Sequence, residues 1–560
     1  QGEYIPKEEE RLSWLSGFTG SAGTALILER TAVLFVDGRY TFQAGKEVNK
    51  DIFTIVNSTQ ISVSDWMLEN CLNSENIAYD PWLMTVSQVN HFRDKSNKQY
   101  KLVARPNLVD QIWKRNSIVT DGTVFCLADK FCGETFKRKL ARIYKLLSRK
   151  GIKNYLFCKP DAVCWLLNIR GKDIDHNPLV NCMALVKENG SVIVFSENSR
   201  KFSKLLGNPI FKNVKFEEYT NLRKWLVDLK ETVGIDINYL PWKIYTYLKS
   251  KRIKTLHLED PANLFKCIKN NAEIRNAKSA HHIDATAFIK FLYWFNQLNK
   301  EEEIDEISLI KQLELCRDAT GCLKGISFDT ICGSGPNGAI IHYRATEKTN
   351  RVIKPNDLIL IDSGGQYFEG TTDITRTITR GECDEKTKDL YTMVLKGLIA
   401  LSSQVWPEGR TGQDLDPFAR QFLWKSFNDY DHGTGHGVGS YLCVHEGPIG
   451  IHKKSKTVLK PGMVLSIEPG FYEKGKFGIR LENLAVIKKI GRAIAKNYLT
   501  FESLSCVPFQ NNMINLTLLE TKERQWLNEY HSFVFKSVSA KLSQSEREWL
   551  QLQCAPLSLN

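Results

Sequence analysis

Twice in its C-terminal half, this 560-residue chain runs an apolar stretch into a carboxylate, crosses a glycine-bearing turn and returns to a second carboxylate. Residues 357–379 read D-L-I-L-I-D-S-G-G-Q-Y-F-E-G-T-T-D-I-T-R-T-I-T. The pattern predicts a buried strand over 358–361 closed by Asp362, a turn around Glu369 and Gly370, and a threonine-rich returning strand over 371–379. Folding this hairpin between Tyr367 and Phe368 sets Asp362 opposite Asp373, with Cβ atoms about 4.5–5.5 Å apart. Residues 464–487 repeat the scheme: a strand over 464–467, Glu468 at its end, Gly475 in the turn, and a return over 477–485 that places Glu482 opposite Glu468. Carboxylates held this close repel one another, and burial raises the pKa of at least one. A cation removes both penalties. One such hairpin could be a solvated ribbon, but four converging carboxylates suit a pair of divalent ions.

Between the hairpins lies D-H-G-T-G-H-G-V-G-S-Y-L-C-V-H-E-G-P, residues 431–448. Its glycines exclude a regular helix, so His432 and His436 are not a helical i,i+4 pair. Instead, Gly433, Gly435, Gly437 and Gly439 allow backbone to pass close to a site. His445 completes a set of three histidines within fourteen residues. Upstream, residues 328–342 read F-D-T-I-C-G-S-G-P-N-G-A-I-I-H, expected as a loop followed by a strand that ends at His342. No Gly-Lys-Ser/Thr follows, so this is not a phosphate-binding loop.

The rest of the chain frames this region. Residues 25–28 and 32–36 form one expected hairpin, and residues 183–186 and 191–195 a second, each after a Trp-Leu segment. The recurrence suggests an internal duplication and three domains: 1–115, 116–262 and 263–560. Apolar residues at helical spacing from Ala287 to Leu298, then Ile307, Ile310 and Leu313, predict two amphipathic helices packed on a sheet. With 42% hydrophobic and 25% charged residues the chain is globular, not disordered. No apolar stretch approaches the roughly 18 residues of a membrane span. The polar start has no signal-peptide core, and without Met the true N-terminus is expected to be missing. Fourteen scattered cysteines with no C-x-x-C pair are expected as reduced, mostly buried thiols of a cytoplasmic protein. The net charge of +13 alone is poor warrant for nucleic acid, and neither nucleic acid nor membrane is an expected partner. Lys453, Lys454 and Lys456 read as a solvated loop, and Trp424 as core packing.

D-S-G-G-Q-Y-x-x-G-T-T-D-I-T-R-T, H-G-T-G-H-G-V-G and V-H-E-G-P, in this order, resemble the aminopeptidase P family, and within it the large three-domain Xaa-Pro aminopeptidases. G-F-T-G-S-A-G, F-V-D-G-R-Y, R-G-K-D-I-D-H-N-P and L-T-F-E-S-L-S-C-V-P-F extend the likeness over nearly the whole chain, although the family's strand and helix ahead of Gln1 are absent. The resemblance implies an α/β and α+β architecture, with two creatinase-like N-terminal domains followed by a pita-bread catalytic domain. It implies two metal ions, most commonly Mn2+, with Zn2+, Co2+ or Fe2+ compatible with the ligands. Asp362, Asp373, His436, Glu468 and Glu482 would be those ligands, Asp373 and Glu482 bridging. A hydroxide between the metals would attack the carbonyl before proline, with Glu468 as general base. His445 would hold the scissile carbonyl, His342 would line the proline side, His432 would lie on the substrate side and Arg480 would support the carboxylates. The family also implies a homodimer through the catalytic domain.

Prolidase and methionine aminopeptidase share these ligands. The length argues against the methionine enzyme, and the two histidine motifs favour aminopeptidase P over the dipeptide-cleaving prolidase. Creatinase-like enzymes lack the ligands that are intact here, as would a non-catalytic pita-bread binding protein.

Overall fold

Runs of β-branched residues joined by short polar turns close as antiparallel pairs. In the computed structural model, Gly23–Ile27 pairs with Ala32–Val36 and Cys182–Lys187 with Val192–Ser196, both antiparallel. The structure describes residues 2–71, 75–96, 99–115, 123–299, 302–493 and 496–558. The chain forms two compact units, Gln1–Lys266 and Cys267–Asn560.

Within the first unit the repeat runs well past the hairpins. Each hairpin follows a short helix that ends on a left-handed residue: Arg11–Ser16 on Gly17 (φ 76°) and Pro160–Leu167 on Asn168 (φ 54°). Each adds a parallel third strand, Phe53–Asn57 or Val214–Glu218. Helix, strand, helix and strand follow in both copies. They are Val63–Asn70, Glu75–Tyr79, Val86–Ser96 and Tyr100–Ala104 in the first, and Leu222–Val227, Val233–Ile235, Trp242–Ser250 and Thr255–His257 in the second. In the second copy Asn154–Phe157 lies between Cys182–Lys187 and Val233–Ile235, which makes one six-stranded sheet. The first copy carries separate sheets of three and two strands. Tyr79, Val86 and Val89 share a core with Leu156, Ile193 and Trp242, so the two copies pack as one body. The expected start of the second domain, residues 116–122, lies outside the described residues.

The second unit opens on the helix Asn271–Gln297, whose Asn270 and Glu273 form a capping box. Phe288, Phe291 and Phe295 face the core at the expected spacing. The helix Glu306–Asp318 follows. Both share one core with an antiparallel sheet of Ile331–Ser334, Leu358–Ser363 and Ile374–Thr379, and with a four-stranded sheet of Val405–Pro407, Lys496–Ser503, Asn483–Ala493 and Val464–Ile467. These two sheets carry the acidic hairpins.

Two local expectations fail. Residues 335–339 wind into a 3-10 helix, started by Pro336 and the left-handed Gly335 (φ 49°), and His342 sits half-buried in the turn beyond it, not at the end of a strand. Trp424 is 46% exposed at the end of the helix Gly412–Trp424, because Leu415, Ala419 and Leu423 already occupy the buried face. Lys453, Lys454 and Lys456 are exposed, as a solvated loop requires. The cysteines are each buried or half-buried. Among the described residues, no helix is long and apolar enough to cross a membrane.

Candidate active site

The second hairpin keeps the expected register. Val464↔Val486 through Ile467↔Asn483 and Gly470↔Arg480 through Glu473↔Phe477 continue one count, which places Glu468 across from Glu482. Gly475 takes the left-handed turn at φ 77°. The first hairpin is shifted by two residues. Asp362 pairs with Thr375, not Asp373, and the same count continues through Gln366↔Thr371. The turn is centred one residue later than expected because no left-handed glycine pins it. A two-residue shift leaves Asp373 on the same face as Asp362, since side chains alternate with a period of two. Gly364 then falls across from Asp373, where a Cβ would lie 2.0 Å from the Thr372 carbonyl oxygen.

Glu468 and Glu482 sit between two ladders of their own hairpin, so their backbone amides are spent elsewhere. The Glu482 N–H donates to the Thr375 carbonyl at 3.1 Å, which ties the second hairpin to the first. The Glu468 N–H donates to the Thr434 carbonyl at 2.8 Å, which ties the second hairpin to the histidine loop. The loop approaches so closely that a Cβ on Gly435 would lie 2.0 Å from the Ser466 carbonyl oxygen. One on Gly437 would lie 2.2 Å from that of Glu446. The His436 N–H donates to Ser466 Oγ at 2.9 Å, and that hydroxyl donates to Glu468 Oε1 at 2.9 Å.

Backbone thus brings all five expected ligands to one place. His436 Nε2 stands 3.4 Å from both Asp373 Oδ2 and Glu468 Oε1. Donor atoms of Asp373, His436 and Glu482 lie within 4.8 Å of one another, close enough to share a cation. Nδ1 of His436 is 3.0 Å from the Gly437 carbonyl, which accepts its proton and turns Nε2 toward Asp373 and Glu468. Asp362 Oδ1 and Glu482 Oε1 are buried with no hydrogen-bond partner among the described residues. A buried carboxylate oxygen without a donor is costly unless a cation meets it.

The electrostatics record the same crowding. Burial, opposed by the hydrogen bond from His436 and reinforced by Asp362, pushes the Asp373 carboxyl up to about 6. Burial and then the charges of Asp373, Glu468 and Asp362 hold Glu482 well above the usual carboxylate range. Burial lowers the pKa of His436, but Asp373 and Glu468 outweigh it and lift the imidazolium to about 9.

The outer contacts order the remaining histidines. Arg480 donates to Asp362 Oδ2 at 2.5 Å and to the Tyr472 hydroxyl at 2.8 Å, and that hydroxyl lies 2.8 Å from His432 Nε2. His445 packs edge-on to His436 with ring centroids 4.3 Å apart. The strand Phe477–Arg480 meets the 335–339 helix so closely that a Cβ on Gly478 would lie 1.9 Å from the Gly338 carbonyl oxygen; His342 follows that helix. Sequence reasoning missed Thr375, whose hydroxyl donates to Glu482 Oε2 at 2.8 Å. It missed Tyr472 as well, and the buried Lys269–Glu446 ion pair beside His445. A threonine-rich strand and an aromatic after E-P-G were visible, but their partners lie in other segments.

Residues 275–489 match the model of metallopeptidase family M24. Residues 4–112 and 115–273 each match the creatinase/prolidase N-terminal domain, and residues 497–557 the C-terminal region of peptidase M24. A probable Xaa-Pro aminopeptidase P of Paracoccidioides brasiliensis is 35% identical over all of this chain and 95% of its own length. The chain belongs to metallopeptidase family M24. Its architecture is accordingly two creatinase-type N-terminal modules and an M24 pita-bread module. A second probable Xaa-Pro aminopeptidase P, of Talaromyces marneffei, is 36% identical over 100% of this chain and 88% of its own. Among solved structures, the X-prolyl aminopeptidase of Caenorhabditis elegans superposes with a TM-score of 0.93 at 32% identity, covering 99% of this chain and 93% of that one. It is described as a cytosolic enzyme with a di-nuclear active site. The Xaa-Pro dipeptidase of Bacillus anthracis shares the M24 fold at 24% identity, with a TM-score of 0.55 over 67% of this chain and 99% of its own.

Proposed function

We propose that this M24 peptidase removes the N-terminal residue from peptides with proline in second position, using two divalent metal ions per chain. The observation that carries the reading is the meeting of Asp362, Asp373, His436, Glu468 and Glu482, with one oxygen each of Asp362 and Glu482 that has no partner among the described residues. The full-length likeness to Xaa-Pro aminopeptidases and the di-nuclear site of the nematode relative support it.

Asp373 and Glu482 would bridge the two ions, Asp362 would complete one, and His436 and Glu468 would complete the other. Four carboxylates and one imidazole form a mostly hard set that would accept Mn2+, Zn2+, Co2+ or Fe2+; the resemblance to the aminopeptidase P family makes Mn2+ the first choice. When bound, the ions supply a water nucleophile at neutral pH and stabilise negative charge at the carbonyl oxygen. Glu468, anchored through Ser466, holds that water and takes its proton. His445, beside His436, donates to the scissile carbonyl. Arg480 and Tyr472 hold Asp362 and His432 in place, and His342 and His432 border the substrate. Proline has no N–H and a fixed φ, so a rigid pocket selects it.

In this reading the domains fall at 1–115, 116–262 and 263–560; the matches to residues 4–112 and 275–489 support two of the three, while the second N-terminal match runs on to residue 273. A cytoplasmic setting agrees with the nematode relative. A homodimer agrees with the exposed Trp424 and Phe427 at the end of the helix Gly412–Trp424 and with the exposed Phe418 at its middle. Hydrolysis of Arg-Pro-Pro against Arg-Ala-Ala tests the activity: arginine should leave only the first. Equal rates reject the assignment, and cleavage confined to Xaa-Pro dipeptides favours a prolidase.

A further inference from the structure

The strand Ile374–Thr379 holds an arginine between two threonines, and side chains alternate along a strand, so Arg376 leaves the face that carries Thr375 and Thr377. It is only 1% exposed, and its guanidinium bonds to several separate segments. Nη1 donates to the Thr375 carbonyl at 2.9 Å and to the Glu482 carbonyl at 2.5 Å. Nη2 donates to Asn483 Oδ1 at 2.8 Å, to the Val507 carbonyl at 2.7 Å and to the Tyr530 hydroxyl at 2.9 Å. Nε donates to the Pro508 carbonyl at 3.2 Å, and the Phe509 ring centroid lies 4.2 Å from the guanidinium carbon.

None of these acceptors is ionised, and burial lowers the pKa of Arg376. A guanidinium held by neutral groups alone carries a desolvation cost that an apolar side chain of similar volume would avoid, so filling space does not account for it. What a planar fork adds is reach to several acceptors in fixed directions.

Where the fork grips shows what it can do. The Thr375 carbonyl also accepts the Glu482 N–H at 3.1 Å. One nitrogen of Arg376 therefore holds both the partner of the Glu482 amide and the Glu482 carbonyl, which fixes the peptide groups on both sides of that residue. The Thr375 hydroxyl then meets the carboxylate itself at 2.8 Å. The far side of the fork is set by the C-terminal region. Tyr530 stands on the helix Thr521–Val538, with its hydroxyl 2.9 Å from the Val507 carbonyl and 3.2 Å from the Ser505 carbonyl and from Asn483 Oδ1.

We propose that Arg376 is a positioning residue for the metal centre, through which residues 505–508 and Tyr530 set where Glu482 presents its carboxylate. The proposal rests on the reading of Glu482 as a metal ligand. Arg376 acts through the Glu482 backbone, not on the peptide.

The test titrates the full chain with Mn2+ against a competing chelator and follows Arg-Pro-Pro hydrolysis by the metal-loaded protein. Arg376→Lys keeps the charge and loses the fork; its Mn2+ affinity and kcat should each fall by about tenfold or more, with KM unchanged. Tyr530→Phe removes one acceptor and leaves the arginine in place; a loss of about threefold in Mn2+ affinity is expected, which keeps the test decisive if Arg376→Lys does not fold. An arginine that merely holds the fold together gives another pattern: melts of the chelated variants fall while folded protein binds Mn2+ and turns over as wild type does. That result overturns the proposal, as does wild-type Mn2+ affinity in a folded Tyr530→Phe. The affinity readout does not depend on peptide specificity, so failure of the proline-directed activity leaves it intact, whereas a wild type that binds no Mn2+ removes both readings.

Discussion

Thr375 offers the sharpest test of how the hairpins hold their carboxylates. Thr375→Val is nearly isosteric and keeps the backbone carbonyl that accepts the Glu482 N–H. It deletes one hydroxyl, which donates to Glu482 Oε2 at 2.8 Å and accepts from Arg480 Nε at 3.3 Å. Both Thr375 and Glu482 are almost fully buried, so water does not replace the lost donor. The other oxygen of Glu482 already lacks a donor among the described residues, which leaves its charge unsupported on both sides. A buried hydrogen bond to a charged group contributes about 1.5–3 kcal/mol. At about 1.4 kcal/mol per tenfold, metal affinity should fall roughly 10- to 150-fold. Glu482 should also hold its proton to higher pH, so the loss should be greatest on the acid side, where proton and metal compete. Metal titration against a competing chelator reads the affinity, and Thr375→Ser, which restores the hydroxyl, should recover most of it. If Thr375→Val binds both ions as tightly as wild type and turns over normally, the hydroxyl does not support Glu482 and the reasoning fails.

Three further outcomes follow from named contacts. Asp373→Asn removes one of four crowded negative charges and should lower activity by orders of magnitude while the chelated protein still folds; a variant with two ions and near-normal turnover would sink the bridging role. His531 is buried, accepts the Phe509 N–H at 3.2 Å, and is held neutral by burial and by Arg376, with a pKa lowered to about 4. The unfolded chain binds that proton near pH 6.5, so the stability is full above pH 6.5 and is lost as pH falls toward 4, by up to about 3 kcal/mol. Denaturant melts of wild type and His531→Gln between pH 7 and 4.5 should diverge over this window, and parallel curves would refute the linkage. Trp424→Glu, at an exposed aromatic helix end, should convert a sedimenting dimer to monomer; an unchanged dimer or a monomeric wild type removes the interface role.

Much of this protein is legible in the order of its residues. Apolar runs that end in acids announce two strands, and a strand has only two faces, so acids at matching positions had to meet. Gly475 pins the second turn at a left-handed φ, which is why that register could be counted in advance. The first hairpin has no such glycine at its centre, and its count came out two residues short. The even slip did no harm to the chemistry, because it kept Asp362 and Asp373 on one face. The histidine loop was readable from its glycines, although not which backbone each one admits. What only the tertiary structure decided is where separate segments spend their leftover hydrogen bonds. Glu482 reaches Thr375, Glu468 reaches Thr434, and Tyr472 joins Arg480 to His432 across three segments. Apart from Tyr472 with Arg480, these pairings join residues dozens of positions apart, which no local periodicity encodes. Trp424 makes the same point in reverse: its apolar character predicts burial, but three neighbours on its helix had already filled the buried face, and the side chain was left in water.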